Sequence, residues 1–148
     1  MKKYTIIIKE ACLEDALFIS QQIPEFEAIY PKSEFENRLK NVKHLILTAY
    51  LKEKPVGFKI GYETESKQNY YSWIGGVLPK YRKFGIAQKL LVYQEQWVKK
   101  HGYLRIIVKT RIKHKAMIQL LEKHGYLKIG TIPLHPELET RILYEKKL

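Results

Sequence analysis

The residues best suited to chemistry lie in one unbroken run, Val77-Leu78-Pro79-Lys80-Tyr81-Arg82-Lys83-Phe84-Gly85-Ile86-Ala87. It stands between a β-branched stretch and a long amphipathic one, so it joins a strand to the first turn of a helix. The first N–H groups of a helix have no partner within it and carry the positive end of its dipole. Lys80, Arg82 and Lys83 stand just ahead of those groups, and Gly85 lets a ligand come close to the main chain. These are the parts of a phosphate or pyrophosphate site. Other familiar chemistry is missing. The histidines His44, His101, His114, His124 and His135 have no zinc-ligand spacing, and the single cysteine, Cys12, gives them no company, so no metal is expected. Neither a Gly-x-Ser-x-Gly elbow nor a P-loop lysine motif occurs.

The elements that must position this run follow from periodicity. Tyr4–Lys9 reads as a strand, and Leu13–Ile23 as a helix ended by Pro24. Ser33 with Glu36 three residues on has capping-box spacing, which predicts a helix from there to about Val42. His44–Leu51 and Val56–Thr64 read as strands joined by a turn at Glu53-Lys54-Pro55, with Val56, Phe58, Ile60 and Tyr62 on one face, and Asn69–Val77 follows as a third. Beyond the loop, helices at Gly85–Lys100 and Lys113–His124 each stop at a glycine, Gly102 and Gly125. They alternate with strands at Arg105–Thr110, Leu127–Ile132 and Arg141–Lys146. The unit from Asn69 to Thr110 is strand, helix, strand, so its strands run parallel, and ligands of such units sit at the carboxyl end of the first strand.

The 148 residues suit one domain, 1–148, without repeat or linker, and long enough to build a core without a staple. The lone cysteine and the absence of an apolar leader point to a cytoplasmic protein, and no stretch is long enough to span a membrane. Charge is uneven: the net +12 divides into +1 for residues 1–74 and +11 for residues 75–148. Between Lys80 and Lys115, 11 basic residues face one acid, Glu95. Such a surplus calls for an anionic partner: nucleic acid, a membrane surface or a phosphorylated small molecule.

The run Val-x-Pro-x-x-Arg-x-x-Gly-x-Ala from Val77 to Ala87 resembles the acetyl-CoA loop of the GNAT superfamily of N-acetyltransferases. Ala11-Cys12-Leu13-Glu14-Asp15-Ala16 and Leu120-Leu121-Glu122-Lys123-His124-Gly125-Tyr126 resemble further landmarks of that family, and the order of elements matches along nearly the whole chain. The resemblance implies an α+β fold: a central mixed, mostly antiparallel sheet of about seven strands, helices on both faces, and a parallel βαβ acetyl-CoA site. It implies that Val77 meets the pantetheine arm, that amides from Lys83 through Phe84, Gly85 and Ile86 to Ala87 hold the pyrophosphate, and that Arg82 begins that turn. Gly75 would spare room for a thioester, or serve a bulge or the twist of the sheet. At the position where many members carry an asparagine stands His114, which either bonds the cofactor or is solvated. Where they carry a proton-donating tyrosine stands Leu121, so another group is the acid or none is needed.

The implied activity is acetyl transfer to a primary amine by direct attack on the thioester. It requires a neutral amine, a route for its proton and donors for the oxyanion. A backbone N–H near Val77 is the expected oxyanion donor. Glu63 is the candidate base, or else a solvated acid near a hairpin. Tyr71, which stands where some members have a glutamate base, either relays a proton and lines the acceptor site or simply packs. The dense Tyr70-Tyr71-Ser72-Trp73 cluster is expected to wall that site. The expected partner is a small-molecule or peptide amine; exposed edge strands after Gly125 would suit a homodimer. The competing reading is a non-catalytic basic module that grips nucleic acid or coenzyme A through residues 80–115.

Overall fold

The computed structural model describes residues 5–26 and 30–148, and Tyr4 of the expected first strand lies outside them. The elements are β1 (Ile6–Glu10), α1 (Leu13–Ser20), α2 (Lys32–Leu39), β2 (His44–Leu51), β3 (Lys54–Glu63) and β4 (Asn69–Val77). After them come α3 (Ile86–Lys100), β5 (Arg105–Arg111), α4 (Lys115–Lys123), β6 (Leu127–Ile132) and β7 (Arg141–Lys147). The seven strands form one open sheet in the order β1-β2-β3-β4-β5-β7-β6. Every neighbouring pair is antiparallel except β4 and β5, as a strand–helix–strand crossover requires. No helix among the described residues is long and apolar enough to cross a membrane.

Apolar side chains close both faces. Ala16 and Ile19 of α1 and Phe35 and Leu39 of α2 pack on Phe58, Ile60 and Trp73. On the other face Leu90, Leu91 and Val98 of α3 and Leu121 of α4 cover Leu45, Leu47 and Ile106. Each such side chain contributes about 2 kcal/mol when buried. Gly102 and Gly125, both at φ +85°, cap α3 and α4 as expected, because the left-handed turn there is strained for a residue with a Cβ.

Several local expectations are corrected. The β2–β3 turn is Lys52-Glu53, both at positive φ (50° and 68°), so Lys54 and Pro55 already belong to β3. Such two-residue turns match the twist of the strands they join. The α2 cap is Pro31 in extended conformation, with no side-chain cap bond, which places Ser33 inside the first turn and leaves the capping box unformed. The first helix ends at Ser20, short of Ile23.

Two bulges matter more. Tyr50 pairs with Pro55 and Ala49 with Gly57, so Val56 is an extra residue, and it joins the core under α3, away from Phe58, Ile60 and Tyr62. Ile60 pairs with Ile74 and Gly61 with Ser72, which leaves Trp73 extra in β4. One inserted residue reverses the alternation beyond it. Tyr71 and Trp73 therefore pack toward α1 and α2, whereas Val77 faces α3, although unbroken alternation along β4 would place all three on one face.

Candidate active site

The loop after β4 makes a short 3-10 turn, Pro79–Tyr81, and then takes two left-handed residues, Lys83 at φ 70° and Gly85 at φ 77°, before α3 begins. An added Cβ at Gly85 would meet nothing within 4 Å, so backbone conformation, not crowding, asks for glycine there. These turns bring successive amides to one helix start. Among the described residues no backbone acceptor takes the N–H of Lys83, Phe84, Gly85, Ile86 or Ala87. Phe84 stands exposed at the tip.

Arg82 is committed elsewhere. Its Nε donates to the Val77 carbonyl at 3.1 Å, and Nη1 and Nη2 donate to both oxygens of Glu25 at 2.7 and 2.8 Å. The guanidinium ties the loop to the end of β4 and to the segment after α1, and holds the Glu25 carboxyl below its usual range. Paired fork to fork, it fixes geometry as well as charge.

Beside the loop the sheet divides. Parallel pairing of β4 with β5 runs only from Asn69 and Arg105 to Ser72 and Val108, although β4 continues to Val77 and β5 to Arg111. From Trp73 onward the β5-facing main chain of β4 has no strand partner. At the fork Ser72 Oγ and Gln94 Nε2 lie 3.0 Å apart in the core and pin α3 to β4.

The walls of this split hold unusual polar groups. A Cβ on Gly75 would lie 3.0 Å from the Phe58 carbonyl oxygen and 3.3 Å from Lys59 Cγ, so β3 itself sets the demand for glycine. Lys59 is only 7% exposed, and burial pushes its ammonium down to about 8 against a smaller opposing effect of Glu95. His114 stands at the N-cap of α4, its Nε2 buried and without a hydrogen-bond partner. Burial and then the neighbouring Arg111 and Lys113 lower its pKa, which favours a neutral ring. Leu121 is fully buried in the core and offers no proton.

On the α1–α2 side an aromatic wall stands at the fork. Tyr62 and Tyr71 meet edge to face at 5.5 Å, and Trp73 lies 4.9 Å from Phe35 and 5.4 Å from Tyr30. The Arg38 guanidinium lies 4.3 Å over Trp73, donates to Tyr62 Oη at 3.1 Å and to Glu34 at 2.8 Å. Lys109 Nζ stands 5.4 Å over the Tyr71 ring. Burial, then Tyr62, raises the Tyr71 phenol to about 12, with Arg38 and Arg141 pulling against it.

Glu63 is not brought to this group. It pairs with Tyr70 at the amino end of β4, seven residues before Val77, and accepts a 3.1 Å hydrogen bond from Tyr103 Oη. That leaves it about 20 Å along the strand from the loop. In its place the structure assembles three residues that the sequence did not single out: Arg38, Glu25 and Lys59. Only Lys59 left a signal, a charge between Gly57 and Gly61 on a strand whose other face is apolar.

Comparison with known proteins agrees with this geometry. The structure is similar to the ribosomal-protein-S18-alanine N-acetyltransferase of Escherichia coli, with a TM-score of 0.81 and 17% identity over 97% of this chain and 94% of that one. Ard1 from Thermoplasma volcanium superposes with a TM-score of 0.82 at 13% identity over 97% of each chain. Arabidopsis thaliana Naa50, bound to the bisubstrate analogue CoA-Ac-MVNAL, gives 0.79 at 18% identity over 97% of this chain and 99% of that one. No curated protein sequence matches the chain. The model of the acetyltransferase (GNAT) family matches residues 13–126, and with the mixed sheet, its split and the loop at its mouth this places the chain in the GNAT acetyltransferase family.

Proposed function

We propose that the protein is a single-domain cytoplasmic N-acetyltransferase that passes an acetyl group from acetyl-CoA to a primary amine by direct attack on the thioester. The observation that carries this reading is the row of unbonded amides from Lys83 to Ala87 at the mouth of the β4–β5 split. When bound, acetyl-CoA supplies an activated acyl carbon and a thiolate that leaves readily at neutral pH.

The chain's residues have separable tasks. The loop amides, with the dipole of α3 and the ammonium of Lys83, receive the pyrophosphate. Arg82 holds that turn in shape by bridging Val77 and Glu25. The unpaired edge of β4 from Trp73 to Val77, along Gly75, offers main-chain groups to an extended arm and a donor to the developing oxyanion. The bare Nε2 of His114 suits a hydrogen bond from the same ligand. Tyr71, neutral at ordinary pH, lines the acceptor side at the fork and can pass a proton through one hydrogen bond.

Calorimetric titration with acetyl-CoA tests the reading. Saturable binding, weakened when the cofactor lacks its 3′-phosphate, and thiol release with an amine are the expected outcomes. Salt-sensitive nucleic-acid binding without cofactor affinity would instead establish a basic binding module.

A further inference from the structure

The acceptor side of the fork is lined by cations. Arg38 of α2 lies over Trp73, Lys109 of β5 stands over Tyr71, and Arg141 of β7, paired with Arg111, extends the face of β5 that carries Lys109. Lys109 and Arg141 make no ion pair with a carboxylate among the described residues. Glu34 of α2 is bonded by Arg38, Glu145 of β7 by Arg105, and Glu139, in the turn before β7, by Arg111 and Lys113, while Glu36 of α2 lines a separate groove with Lys40 and His44. A polycationic acceptor would therefore meet the unpaired cations Lys109 and Arg141 at the wall, and Glu63, the acid expected to grip it, is bonded to Tyr103 on the opposite face.

On the N-acetyltransferase reading, we infer that the acceptor is a primary amine carrying its own anionic group, a carboxylate or a phosphate, which Arg38, Lys109 and Arg141 receive. The position follows from the split. Cofactor entering from the loop reaches the fork at Ser72 and Val108, and an amine meeting it there leaves the remainder of the acceptor against the aromatic wall and its cations. Planar guanidinium groups match carboxylate and phosphate oxygens, and charge-assisted bonds of this kind are stronger than neutral ones. The cations also disfavour the protonated form of the attacking nitrogen, so the amine reaches its neutral form without a neighbouring carboxylate. In the transfer, the amine nitrogen bonds the acyl carbon, the carbon–sulfur bond breaks, and the proton shed by nitrogen goes to solvent or to the departing thiolate.

The test compares matched amines by thiol release: glutamate against its diamide, and phosphoethanolamine against ethanolamine, with spermidine as the cationic arm. The expected result is a kcat/KM at least about tenfold higher for an anionic member than for its neutral partner, with the better pair identifying carboxylate or phosphate. Lys109→Gln and Arg141→Gln each shrink that ratio toward one. Equal or greater turnover of the neutral or cationic amines overturns the inference while leaving the acetyltransferase intact. Absence of thiol release with every amine, together with absence of cofactor binding, overturns the underlying reading as well. Binding is read independently from Trp73 fluorescence in a Trp97→Phe background: saturable change with N-acetylglutamate and none with its diamide supports the anion site. Identical responses to these two, and likewise to phosphoethanolamine and ethanolamine, refute it.

Discussion

The two sides of the β4–β5 fork are built by different means. On the cofactor side the main chain does the work: a continuous loop, two left-handed residues and a strand edge without partner. On the acceptor side the surface consists of side chains gathered from α2, β3, β4, β5 and β7. Main-chain recognition needs only a backbone path and tolerates many side chains. Side-chain recognition changes with each substitution, which is how one scaffold can keep its donor and vary its acceptor.

The sharpest contrast is in buried charge. Lys59 lies inside the cofactor side, whereas on the acceptor side Arg38 and Arg141 are half-buried and Lys109 is exposed. For Lys59 the folded pKa of about 8 lies below the ordinary 10.5, so its stability contribution is complete above pH 10.5 and is lost as pH falls to about 8. Lys59→Met should remove that dependence and raise stability at pH 7 by about 3 kcal/mol, read by denaturant titration across pH. A variant no more stable than the parent would show that the ammonium finds compensation in the fold.

Gly85→Ala should cost about 1 kcal/mol because of its positive φ, and weaken acetyl-CoA by about tenfold while leaving preference among amines alone. Glu25→Gln releases a partly exposed pair, so its stability cost should stay under about 1 kcal/mol in thermal melts. It should nonetheless raise KM for acetyl-CoA more than for the amine, since the loop loses its tether. If both Michaelis constants rise equally, the two sides of the fork are not separable.

The smallest effect concerns His114. Its pKa is depressed below 6.5, so its stability contribution is present above that value and is lost as pH falls through the folded pKa. His114→Gln should flatten the acid limb of the stability profile; an unaltered limb would assign it to other groups.

Legibility in the sequence followed the same division. Val77 to Ala87 is contiguous, so the phosphate site proposed for it could be argued from neighbouring residues, and the bounds of β2, β4 and β6 followed from alternation and flanking turns. The acceptor side was legible only in its aromatics. Its parity was reversed by Trp73, and no local signal marks a bulge, because a bulge exists only relative to the partner strand. Arg38 and Glu25 lie 35 and 57 positions from Trp73 and Arg82, and nothing in their own neighbourhoods marks them for the site. Part of the basic surplus now has an address in Lys109 and Arg141, apart from the cofactor loop.

The short register between β4 and β5 bears on how the molecule assembles. Strands β1 to β4 form a meander of sequence neighbours, whereas the remaining strands join it through four residue pairs and one long crossover. Contacts between sequence neighbours close small loops and form early; the crossover closes a large one for little immediate gain. The meander should therefore acquire amide protection first in pulsed hydrogen exchange, with β5, β7 and β6 docking later. Ligand bridging the fork would then act as a late clasp, slowing unfolding more than it speeds folding.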